Sequence, residues 1–147
     1  MNQKNGRVIA AAAVVAAMSI FHASQSAVRA QAARTTADGV FTEEQAKRGG
    51  ETYSKECSFC HGADMTGGEG PSLTGAEFEM FWKGLPVSDL YSRIRNTMPQ
   101  SSPGTLTPEQ AADVVSWILS NLKAPAGSTE LPAKVEELKQ ITIGAKS

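Results

Sequence analysis

Cys57, Cys60 and His61 stand in the run Cys57-Ser58-Phe59-Cys60-His61, and that spacing has a defined chemistry. Two thiols three positions apart can each add to a vinyl group of a haem, and the imidazole directly after the second can bind its iron. Helical geometry explains the interval, since residues i and i+3 share one side of a single turn. The thiols then meet one edge of the porphyrin while the His61 ring turns to the metal. Other uses of two such cysteines fit less well. A thioredoxin-type redox pair follows a strand in a βαβ frame, and the residues ahead of Cys57 read as helix. A structural zinc site takes four ligands. This chain has two cysteines, and its other histidine, His22, falls in a segment expected to be removed. A disulfide would close only a tiny loop. The motif therefore implies one covalently attached haem.

The segment expected to be removed is the N-terminus. Lys4 and Arg7 precede an apolar run at residues 8–21, and Ala30-Gln31-Ala32 offers a small-x-small cleavage pattern. Residues 1–32 thus read as a signal peptide, cut after Ala30 or Ala32. The run of 14 residues is short of the roughly 20 needed to cross a bilayer as a helix, so no stable membrane span is expected; an uncleaved anchor is the alternative. The 115 residues that follow Ala32 make one small domain. A core of that size is thin, and a bound haem would add an apolar plate on which helices can pack. Without Lys4, Arg7 and Arg29 the chain keeps 11 basic and 15 acidic side chains, a formal charge of −4. That balance excludes nucleic acid as a partner. It suits a basic docking patch on another protein, and it is equally the composition of an ordinary exported domain.

Helix signals place the motif. After a polar lead-in at 33–41, Thr42 and Gln45 form a T-x-x-Q capping box that opens a helix through Tyr53 into the cysteines. Gly67, Gly68 and Gly70 before Pro71 mark a loop. Short helices are predicted at 77–83 and 88–96. A stronger one follows, with Thr107 as cap, Pro108 at the first helical position and Gln110 closing a second box. In it Ala111, Val114, Val115, Ile118 and Leu122 recur on one face. These elements give an all-α domain at 42–124 and a C-terminal extension at 125–147, with a short helix near 133–138 and no internal repeat.

Taken in order, these pieces resemble the class I c-type cytochromes. The motifs are Gly49-x-x-x-Tyr53, the Cys57 to His61 pentapeptide, Gly70-Pro71-x-Leu73-x-Gly75, Met98-Pro99 and Val114-x-x-Trp117, and the likeness covers about residues 42–122. The resemblance implies a small helical fold wrapped around one haem c, with export to the periplasm, where bacterial members receive the haem. It implies that Gly49 lets the first and last helices cross closely, with the Tyr53 and Trp117 rings packing at the crossing. It also implies that the Pro71 carbonyl accepts a hydrogen bond from His61 Nδ1 and that Leu73 packs on the haem. Trp82, Arg93 and Arg95 are candidate propionate partners, and long polar side chains on a short helix are commonly just solvated.

The second axial ligand is approached by elimination. Without the leader His61 is the only histidine, so a methionine is the natural partner. Met65 is too close to His61 in sequence to reach the opposite haem face. Met80, in Phe78-Glu79-Met80-Phe81-Trp82, reads as core filling. Met98 precedes a proline and lies 37 residues beyond His61, an interval shorter than in mitochondrial-type relatives and similar to that of small bacterial ones. Met98 is the expected ligand, with Met80 and an open iron as the alternatives. Histidine and methionine together fill the iron, which excludes substrate binding there and leaves one-electron transfer as the task. The expected protein is an electron carrier and not an enzyme. Its partners would be redox proteins, among them a dehydrogenase or quinol-oxidising complex and a terminal oxidase. The tail, with Asn121, Pro125-Ala126-Gly127, Glu130-Leu131 and an apolar stretch at 138–143, is similar to the extension of small bacterial cytochromes that accompany quinoprotein dehydrogenases. A dedicated subunit of such an enzyme is the alternative to a free shuttle, and a haem peroxidase or gas sensor a more distant one. The tail is equally suited to wrapping the domain and covering apolar surface.

Overall fold

Thr42 holds an extended backbone and its hydroxyl accepts the Gln45 amide at 3.1 Å, so helix α1 runs Glu43–Glu56 with Glu43 and Glu44 in its first turn. The computed structural model describes residues 34–144. The expected leader at 1–32, with its cleavage sites and His22, lies outside the described residues, as do 33 and 145–147. Five further helices follow: α2 Ser58–His61, α3 Gly75–Trp82, α4 Val87–Thr97, α5 Pro108–Asn121 and α6 Val135–Leu138. Two strands of two residues each, β1 Arg34–Thr35 and β2 Ile141–Thr142, pair in parallel with Arg34 opposite Ile141. The described residues are mostly helical, as an all-α domain requires. Among them no helix is long and apolar enough to cross a membrane.

The crossing of α1 and α5 organises the core. A Cβ at Gly49 would overlap the Asp113 carbonyl, so only glycine permits this approach, and at the next residue a Cβ on Gly50 would come within 3.1 Å of the Trp117 ring. At the crossing the two expected aromatic residues take different partners. Trp117 lies over Gly50, while the Tyr53 hydroxyl turns away to donate to the Gly62 carbonyl at 2.6 Å. Along α5, Ala111, Ala112, Val114, Val115, Ile118 and Leu119 are buried, and α4 adds Leu90, Tyr91 and Ile94 to the same core. A ring pair forms between Phe78 and Trp82 on α3, stacked at 6.1 Å.

The two capping boxes differ. At α5 the box is complete, Thr107 and Gln110 exchanging hydrogen bonds of 2.8 and 3.1 Å. At α1 it is half formed, because the Gln45 carboxamide does not reach back to Thr42. It is buried, and a buried amide must satisfy both its ends. The Leu131 backbone offers a carbonyl at 3.0 Å and an N–H at 2.6 Å.

That contact belongs to a long clasp made by the tail. Leu131, Leu138, Ile141 and Ile143 are buried. The tail also pairs with the loop between α3 and α4, Gly84 N–H donating to Ile143 O at 2.8 Å and Ile143 N–H to Leu85 O at 2.9 Å. The 33–41 segment is more than a polar lead-in: Thr35, Thr36, Val40 and Phe41 are buried, and the Gly144 N–H donates to the Thr36 hydroxyl at 2.9 Å. Apolar cover from the tail makes that burial possible. Arg48 joins three parts of the molecule, binding Asp113 of α5 through two 3.0 Å bonds and Glu130 of the tail at 2.8 Å. Asp113 and Glu130 hold its guanidinium firmly charged.

Candidate haem site

Cys57 is where the first long helix ends. Its N–H still donates to Tyr53 O at 2.9 Å, but its backbone leaves helical geometry, and α2 restarts from it in a new direction. Within that turn both the Cys60 and His61 amides donate to Cys57 O, at 3.2 and 3.0 Å. The two sulfurs therefore project from one turn, three positions apart, as the sequence requires. Neither is in a disulfide, and both are half-buried. Burial, with lesser help from Glu56 and Cys60, pushes the Cys57 thiol up to about 11. Redox-active and nucleophilic cysteines are displaced in the opposite direction. Among the described residues no group of three or more His, Cys, Asp or Glu side chains could hold a metal ion by itself.

The loop after α2 folds back to hold the imidazole. Gly70 N–H donates to Cys60 O at 2.8 Å, Gly67 N–H to His61 O at 2.9 Å, and Leu73 N–H to Met65 O at 2.9 Å. The Asp64 carboxylate accepts from the Thr66 N–H and hydroxyl, which hold it below the usual carboxylate range. This course brings the Pro71 carbonyl to 2.8 Å from His61 Nδ1. A carbonyl can only accept, so the proton sits on Nδ1 and the lone pair on Nε2 is left for a metal. Space for the ring is created at Gly70, where a Cβ would come within 2.8 Å of Cε1 and 2.9 Å of Nδ1.

The remaining expected residues are placed as follows. Leu73 is partly buried against the core. Met98 is half-buried at the C-terminus of α4, its N–H donating to Ile94 O at 3.1 Å. Met65 is fully buried in the core. Met80 does not fill the core as its aromatic neighbours suggested: it is 73% exposed, because α3 turns Phe78 inward and leaves Met80 and Phe81 outside. Arg95 donates to Gly104 O at 2.8 Å, and Arg93 is exposed. Sequence reasoning missed Gly70 as the residue that makes room for the imidazole, although its position in Gly-x-Gly-Pro was a signal. It also missed Arg48 and Asp113, whose pairing depends on the helix crossing.

These residues fit a covalent haem: two unpaired thiols on one turn, an imidazole with its Nε2 free and its other nitrogen held, and a half-buried thioether at a helix end. The class they define is that of the c-type cytochromes. A family model described as cytochrome c oxidase, cbb3-type, subunit III matches residues 44–118, about half of the chain, and the chain belongs to that family of class I c-type cytochrome domains. No curated protein and no solved structure matches. Membership implies haem c with its iron, redox partner proteins, and electron transfer as the domain's role.

Proposed function

We propose that the protein is a periplasmic one-electron carrier with a single haem c, bound through Cys57 and Cys60 and ligated by His61 and Met98. It passes electrons from a dehydrogenase or quinol-oxidising complex to a terminal acceptor. The observation that carries this reading is the His61 ring, held at Nδ1 by Pro71 O at 2.8 Å beside two unpaired thiols. When bound, the haem supplies an iron that alternates between ferric and ferrous states. The chain's part is to keep its ligands still in both. Pro71 and the space at Gly70 fix the imidazole, and α4 presents Met98 at its end. Leu73, partly buried against the core, is the residue that would pack on the haem. A thioether in place of a second histidine favours the ferrous form, which places the potential on the positive side. Export is supported by the basic start, the apolar run at 8–21 and Ala30-Gln31-Ala32. A dedicated subunit of an oxidoreductase is the second reading, favoured by the description of the family as a subunit III.

One preparation tests the first reading. The intact mass of exported protein should equal the chain from Gln31 or Ala33 plus one haem that acidified solvent does not extract. Its ferric spectrum should carry the weak long-wavelength band of thioether-bound iron. Met98→Ala should abolish that band and Met80→Ala should leave it; the reverse would move the ligand to Met80.

A further inference from the structure

Arg95 lies in the last turn of α4, and Met98 is the residue at which that helix stops. From there to the Thr107 cap of α5 the chain makes a loop in which Pro99 and Leu106 are buried and residues 100–105 are exposed. A segment with so little apolar burial is held mainly by its hydrogen bonds. Three of them are short in range: Met98 N–H to Ile94 O at 3.1 Å, Ser102 N–H to Pro99 O at 2.9 Å, and Thr105 Oγ1 to Ser102 O at 2.9 Å. Such bonds stiffen the loop within itself, and buried Leu106 anchors its far limb to the core, but none of them ties that limb back to α4. Arg95 makes the attachment. Its Nη1 donates to Gly104 O at 2.8 Å, nine positions on, where Gly104 has a φ of 75°. A non-glycine residue would resist that turn. The guanidinium thus spans the loop from the helix end to the last turn before α5.

We propose that Arg95 is a positioning residue that clamps the loop carrying Met98, and so sets how readily the thioether leaves the iron. This role rests on the reading of Met98 as axial ligand. Arg93, two residues away, provides the comparison: its side chain is exposed and makes no hydrogen bond or ion pair among the described residues.

The test is imidazole binding to the ferric holoprotein, followed through loss of the long-wavelength thioether band. Imidazole must wait for Met98 to swing away, so its apparent affinity scales with the open fraction of the loop. Arg95→Gln should tighten imidazole binding roughly fivefold, the scale of one hydrogen bond. Arg95→Lys, which can donate to the same carbonyl through a more flexible stem, should fall between Arg95→Gln and the unaltered protein. Arg93→Gln removes the same charge and should leave the affinity unchanged. Unaltered affinity in Arg95→Gln overturns the clamp, and equal tightening in Arg93→Gln overturns it in favour of surface charge. Should Arg95→Gln give no holoprotein, Arg95→Lys matching the unaltered protein has the same force. A band that survives Met98→Ala instead removes the ligand assignment and the clamp with it. A band that behaves as expected while Arg95→Gln binds imidazole normally removes the clamp alone.

Discussion

At Gly70 the absence of a side chain decides where a ring can stand. Alanine there would put a carbon within 2.8 Å of the His61 imidazole, closer than packed atoms tolerate, and the neighbour is a ring pinned at its other edge by Pro71. Gly70→Ala should therefore lower the yield of holoprotein and weaken the long-wavelength band. Quantitative haem absorbance per mole of chain reads the yield. Tyr53 gives a pH dependence. Burial raises its phenol from 10.0 to about 12, with smaller contributions from Cys57 and Asp64; the burial component persists when Cys57 is a thioether. The folded state holds the phenol neutral, so this stabilisation is complete below about pH 10 and is lost as pH rises through about 12. Tyr53→Phe should lose the part of the alkaline decline in stability that falls in that window, as measured by denaturant unfolding from pH 9 to 12.

Helix α1 meets α5 at a contact where two opposing effects can be weighed. Alanine is favoured over glycine within a helix by about 1 kcal/mol. At Gly49 that gain faces overlap with the Asp113 carbonyl, a backbone atom that moves only if the helices separate, and such overpacking costs about 1–3 kcal/mol or more. Gly49→Ala should thus destabilise on balance, whereas Gly50→Ala, which meets the Trp117 ring at 3.1 Å, should be closer to neutral; paired urea titrations decide. The same crossing shows what was legible in the sequence. Thr107, Pro108 and Gln110 announced α5 correctly because their signals are local, and the cysteine spacing announced α2. The half-formed box at Thr42 was not legible, because Gln45 answers to Leu131, 86 positions away. Arg48 with Asp113 and Glu130 was hidden for the same reason. Strands of two residues have no alternation to read, so β1 and β2 left no trace. Met80 was misjudged because aromatic neighbours in sequence become opposite faces of a helix.

Across the whole molecule the tail is part of the folded body. Leu138 is fully buried although its helix, α6, has only four residues. Leu138→Ala should cost about 2–5 kcal/mol, the range for emptying a core leucine site. A tail serving only as a detachable docking arm would leave the unfolding midpoint unmoved. The clasp between β1 and β2 also orders events in time. Arg34 pairs with Ile141, and the Thr36 to Gly144 bond spans 108 positions. During synthesis from the N-terminus Cys57 and Cys60 emerge long before that partner exists, and loop closure over so many residues is among the slower steps of folding. A chain cut short before Ile141 would carry both thiols and lack the strap that ties residues 34–36 to the tail.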